Sequence, residues 1–166
     1  MSEMVVPDGW QYSELSNHIQ DFRKTTKEEN EYEVMTSSMN GLMRQTEYYG
    51  ENRLTRRSNI GFNVLPEIFL TYRSRSDNNH FTFNQNHLGF TGIISKYYPV
   101  FGSKNGIEYN RFYSYLLNHH LRTIARESVG TSQVVLSFNA LKSVKLPIPP
   151  LPEQQKIASI LTSVDE

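Results

Sequence analysis

The chain has 166 residues, with 17 basic against 17 acidic side chains, 37% apolar residues and no cysteine. That length suits one domain that removes ~70% of its unfolded surface from water, and an aromatic content of 12% at zero net charge excludes a disordered tract. The lack of cysteine excludes disulfide frameworks, thiolate metal sites and cysteine nucleophiles.

Met1 is followed by acidic and polar residues rather than by a basic start and an apolar run, so secretion is not expected. No apolar stretch approaches the ~18 residues of a membrane span. A soluble domain in the cytoplasm is expected. Charge is unevenly placed: residues 1–33 hold eight acids and three bases, residues 34–146 six and thirteen, and residues 147–166 three and one. A basic body between acidic ends can turn a positive face to a polyanion. Ordinary scatter among solvated side chains is the competing reading.

In chain order, Pro7-Asp8-Gly9-Trp10 is a turn leading to Tyr12 and Leu15, and residues 20–31 read as a loop or an exposed helix. From residue 32 to about 101 the runs are short and β-like. Residues 32–35, an Asn40-Gly41 turn and residues 42–44 predict a hairpin. Residues 60–64, 68–72, 81–83 and 93–101 supply further strands, separated by turns rich in Asn, Ser and Gly. After Gly106 the period becomes helical: Phe112, Tyr113, Leu116, Leu117, His120, Leu121 and Ile124 predict one helix over about 108–126, with Gly130 beyond its end.

A second short helix is expected to open at Asn139, a good N-cap residue. Pro147, Pro149, Pro150 and Pro152 then fall within six residues, which predicts a stiff, extended connector. Pro152 suits the first turn of a last helix, with Glu153 near its positive end. Ile157, Ile160, Leu161 and Val164 form an apolar stripe on that helix, a candidate partner or self-association surface. The expected organisation is a body over 1–146, a connector over 147–152 and a projecting helix over 153–166. The fold class is α+β, a curved, mixed sheet of short strands with packed helices.

Catalytic signatures are missing. No Asp or Glu is followed two positions later by Lys, there is no phosphate loop, and no Gly-x-Gly fingerprint for a nucleotide or S-adenosylmethionine. His119 and His120 are adjacent, so on a helix they diverge by about 100° and cannot chelate one metal together. No catalytic residue and no metal ligand is assigned. What remains is Arg44, Arg53, Arg56, Arg57, Arg73 and Arg75 within 32 residues, with no lysine among them, interleaved with Asn52, Asn59, Asn78, Asn79 and Tyr48-Tyr49. Arginine forks match phosphate oxygens and the guanine edge, and asparagine matches adenine. Ion pairs to Glu47, Glu51 and Glu67 on a solvated loop are the alternative.

Three further segments carry a resemblance. Gly130-Thr131-Ser132-Gln133, Leu136-Ser137-Phe138-Asn139-Ala140-Leu141, and the run from Leu146-Pro147-Ile148-Pro149-Pro150-Leu151-Pro152 through Glu153-Gln154-Gln155-Lys156-Ile157-Ala158 resemble the end of a target recognition domain of type I restriction-modification specificity subunits. Pro7-Asp8-Gly9-Trp10 and Gly92-Ile93-Ile94-Ser95-Lys96-Tyr97-Tyr98 are similar to that family's opening and to one of its strands. Ser132 stands where the family often has Gly, and Val135 where Arg or Asn is frequent.

The resemblance implies a non-catalytic DNA-specificity element that reads one half of a bipartite double-stranded site. It directs methyltransferase subunits and, through them, restriction subunits, to which S-adenosylmethionine, ATP and magnesium belong; the chain itself holds no cofactor. Asn78, Asn79, Lys96, Lys104, Ser132 and Gln133 join the arginines as expected DNA contacts. Family members carry two recognition domains and two long spacer helices, so one domain with a short helix implies a half-length or truncated form. The alternatives are the recognition domain of a fused methyltransferase or nuclease, and an interaction module that docks the methyltransferase without binding DNA.

Overall fold

The computed structural model of the chain describes residues 4–46 and 58–165. Short apolar runs punctuated by Asn, Ser and Gly cannot build long strands, and the strands here have two to six residues. They are β1 Gln11–Glu14, β2 Ile19–Asp21, β3 Glu33–Ser38, β4 Gly41–Arg44, β5 Asn63–Leu65, β6 Leu70–Tyr72, β7 Arg75–Ser76, β8 Phe83–Gln85, β9 Gly92–Ile94, β10 Val100–Ser103, β11 Val134–Val135 and β12 Lys145–Ile148. Among the described residues, helices with defined bounds follow or interleave: α1 Asn110–His119, α2 Leu121–Ala125, α3 Phe138–Lys142 and α4 Leu151–Asp165. The class is α+β. Among the described residues no helix is long and apolar enough to cross a membrane.

Two four-stranded sheets form the body, in the orders β2-β10-β6-β8 and β4-β3-β9-β5. The first is antiparallel throughout. The second is mixed, because β3 runs parallel to β9 while the β3–β4 hairpin turns at Asn40-Gly41 as its sequence dictates. The first sheet carries the large core. Phe101 lies near Tyr72, Phe83 and Phe138 with ring centroids 5.3–6.4 Å away, and Phe112, Tyr113 and Leu117 of α1 are buried in the same cluster. A smaller cluster, Met35, Leu65, Ile94 and Val100, lies in the second sheet and the adjoining strand.

Several expected elements take other bounds. The strand expected from residue 60 begins at Asn63, since residues 59–62 turn around the buried Thr26, whose Oγ1 donates to the Asn59 carbonyl. Ile68 has φ 77°, which delays the next strand to Leu70. The single helix expected over 108–126 is interrupted at His120 (φ −107°, ψ 28°), whose N–H reaches the Leu116 and Leu117 carbonyls before the chain starts α2. The cap of α3 is Ser137 rather than Asn139, because Ser137 Oγ accepts from the Ala140 N–H at 3.1 Å.

The proline segment is built into the body. Lys145–Ile148 pairs antiparallel with Gln11–Glu14, Tyr12 opposite Pro147. Both strands of a two-stranded ribbon are edge strands, where proline's missing N–H is tolerated. Leu146, Pro147, Ile148 and Pro149 are buried. The helix opens at Leu151, and instead of projecting freely α4 lies along α1: Arg111 Nε donates to Thr162 Oγ1 at 3.2 Å, and the Tyr115 hydroxyl donates to Asp165 at 2.7 Å. Gln154 is the pin of this joint. Only 2% exposed, it donates from Nε2 to the Pro149 carbonyl. Burial pushes the pKa of the neighbouring Tyr113 hydroxyl up to about 12, with the Gln154 side chain opposing that rise.

Candidate nucleic-acid interface

The segment after β6 leaves the core and becomes polar within one residue. Tyr72 is buried and donates its hydroxyl to the Leu136 carbonyl, whereas Arg73 is exposed. Ser74 then fixes the neighbouring loop, since its N–H and its Oγ both donate to the Tyr97 carbonyl, at 3.1 and 2.6 Å. Strand β7 pairs with β11, placing the 130–133 loop beside residues 75–77, and Gln133 Nε2 approaches Asp77 Oδ1 at 3.5 Å. The turn that follows is shaped by its own side chains. Ser76 Oγ donates to Asn78 Oδ1 and accepts from the N–H groups of Asn78 and His80, while Asn79 adopts φ 58°, a region asparagine tolerates.

Opposite this turn stands the β3–β4 hairpin, tied to β8 by Asn84, whose Nδ2 donates to Ser37 Oγ and the Ser38 carbonyl. In turn, β8 is clamped to α1 by Asn118, which exchanges two hydrogen bonds with the backbone of Phe83. Between hairpin and turn lies an open cleft of about 380 Å³ whose lining includes Thr36, Ser38, Arg73, Arg75, Asn78 and His80. Among the described residues Asp77 is its one carboxylate. The Arg75 guanidinium stacks 4.4 Å from the Tyr97 ring, and Lys96 Nζ lies 5.6 Å from the same ring.

Of the residues expected to contact DNA, the structure gathers Arg73, Arg75 and Asn78 in the cleft, with Lys96 at the shared Tyr97 and Gln133 at Asp77. Asn79 flanks the turn, and Ser132 is exposed on the loop before Gln133. Two lie elsewhere. Arg44 is on β4 with its guanidinium 4.9 Å from the Phe90 ring, and Lys104 follows β10 with its N–H on the His18 carbonyl. Arg53, Arg56 and Arg57 fall outside the described residues. Sequence reasoning missed Tyr97 and His80, one quoted only inside a longer motif and the other an isolated histidine. The imidazoles that burial holds below their ordinary range, His18, His87 and His120, all lie outside the cleft.

On the C-terminal helix, Ile157 packs against the large core and Leu161 is half-buried. Ile160 and Val164 are 54% and 75% exposed, so the expected stripe is split between an inner row and an outer ridge.

Three solved structures share this fold. The S subunit of a type I restriction-modification system from M. genitalium superposes with a TM-score of 0.58 at 13% identity, over 94% of this chain and 39% of that one. The HsdS subunit from Thermoanaerobacter tengcongensis gives 0.56 at 16% identity, over 97% and 38%. A chain from a structure of type I R-M complex assembly and conformational transition gives 0.60 at 15% identity, over 97% and 39%. The chain therefore spans about two fifths of the length of these structures. Residues 13–166 match the family described as the type I restriction modification DNA specificity domain, and the chain belongs to that family.

Proposed function

We propose that this chain reads one half of a bipartite double-stranded DNA site through the cleft, as the specificity element of a type I restriction-modification system. The observation that carries the reading is the cleft itself, in a chain of this family. Two exposed arginines, an asparagine, a histidine and several hydroxyls converge there from the β6–β8 segment and the β3–β4 hairpin. Guanidinium groups hold phosphates or the guanine edge bidentately, and Asn78 has the adenine-matching amide. The chain does no chemistry of its own in this reading. Methyltransferase subunits, and restriction subunits through them, bring S-adenosylmethionine, ATP and magnesium, and α4 joins this recognition domain to a second one.

The test is duplex binding by the full chain and by Arg73→Ala/Arg75→Ala across a salt series. Each phosphate contact contributes ~0.9 to the slope of log affinity against log salt. The double variant should bind more weakly and lose up to ~1.8 of that slope. Binding equal to the parent's at every salt concentration would leave the cleft a solvated surface. Methylome sequencing of a host with and without the gene then identifies the site that is read.

A further inference from the structure

A second groove adjoins the cleft. It measures about 400 Å³ and is lined by residues 79–81 on one side and by Leu121, Arg122, Ala125 and Arg126 on the other. His80 lines both cavities, so the turn that carries it is the ridge between them. The two walls are fastened together by Ser128, whose Oγ lies 3.0 Å from Asn79 Oδ1 and 2.6 Å from the Ala125 carbonyl. Within α2, Leu121 and Ala125 pack inward against the large core. Arg122 and Arg126, one position further along, are therefore presented outward and are exposed.

These arginines stand four residues apart, so they share one face with ~5–6 Å between Cβ atoms, and like charges so placed destabilise a helix. Among the described residues no carboxylate is within ion-pair distance of either. The helix end favours cations, but among the described residues no acidic side chain neutralises the pair. An external polyanion would. We propose that this groove is a second phosphate-binding surface, where Arg122 and Arg126 hold the backbone of the same duplex that enters the cleft across His80. The inference rests on the DNA reading above and lengthens its footprint to a helix that the arginine cluster of residues 44–75 does not include.

The measurement is fluorescence anisotropy of a labelled pool of random-sequence duplexes, titrated with the full chain at several salt concentrations. Arg122→Ala/Arg126→Ala should flatten the salt slope by ~1.8. The parent's advantage over it should then be ~12-fold larger at ~50 mM than at ~200 mM salt. Arg122→Lys/Arg126→Lys, which keeps the charge, should retain the parent slope. An Ala variant with the parent slope overturns the proposal, and the cleft reading survives if Arg73→Ala/Arg75→Ala still weakens binding. A Lys variant as flat as the Ala variant would also overturn it, by showing that the shape of the segment rather than its charge is being measured. A parent chain that binds no duplex defeats both readings.

Discussion

Residues 145–158 and residues 73–80 are both anchored at the large core, but by opposite means. The first segment puts its side chains inside: Leu146, Ile148, Gln154 and Ala158 are buried, and prolines set the path between them. The second keeps the charged and amide side chains outside and is held by backbone pairing with β11 and by short polar contacts from Ser74 and Ser76. A segment held through its side chains cannot change sequence without loss of stability. A segment held through its backbone can present new side chains at little cost. The cleft is built on the second plan, which suits the recognition role proposed for it.

The largest test of this contrast is a pair of variants followed by chemical denaturation. Leu146→Ala removes a fully buried side chain from the ribbon with β1 and should cost about 2–5 kcal/mol. Arg73→Ala/Arg75→Ala should change stability by less than ~0.5 kcal/mol per residue, the usual range for exposed positions, while weakening duplex binding. An arginine variant that unfolds as early as Leu146→Ala would show that the rim is coupled to the core after all.

A middle-sized effect is expected at the joint between the proline segment and the helices. Gln154→Ala removes the amide that satisfies the buried Pro149 carbonyl, and an unsatisfied buried group costs about 1–3 kcal/mol. Tyr113→Phe removes the hydroxyl whose ionisation Gln154 influences, without opening a cavity. In a double-mutant cycle the two substitutions should therefore couple by about 0.5–3 kcal/mol. Strict additivity in thermal or denaturant unfolding would mean that Tyr113 and Gln154 act separately, and that the backbone bond to Pro149 is the whole of the pin.

The legible part of the molecule is the part governed by local rules. The Asn40-Gly41 hairpin, the apolar face of α1 and the opening of α4 near Pro152 follow from turn chemistry, period and fixed φ angles. What stays hidden is non-local. Nothing near Gln11 announces a partner at Ile148, and nothing near Glu33 announces a parallel neighbour at Gly92. The break at His120 is equally unmarked, since the apolar period continues across it. The same limit shaped the candidate site. Counting arginines along the chain unites Arg44 with Arg73, which the fold does not bring into one cleft. It also passes over Arg122 and Arg126, which the fold carries to the edge of the same turn as Asn79 and His80.

The smallest expected change in stability belongs to the outer ridge of α4, and it sharpens the contrast from a third side. Ile160 and Val164 are too exposed to hold the fold, so Ile160→Asp/Val164→Asp should cost little, within ~0.5 kcal/mol per residue. What the ridge can do is pair with another helix. Full cover would contribute about 1.5–3 kcal/mol for each of the two side chains, against ~4–15 kcal/mol of lost rigid-body freedom on association. Fifteen residues span about 22 Å, little more than two heptads, and the inner row of this helix is already committed to the body. The chain should therefore sediment as a monomer at micromolar concentration, with weak self-pairing that the double Asp variant abolishes. Lengthening the helix by further heptads should turn that weak pairing into a stable symmetric dimer, because each added heptad brings new apolar cover while the rigid-body loss is incurred once. A tight dimer of the 166-residue chain that survives both Asp substitutions would place the contact on another surface and remove α4 from the joining role proposed for it.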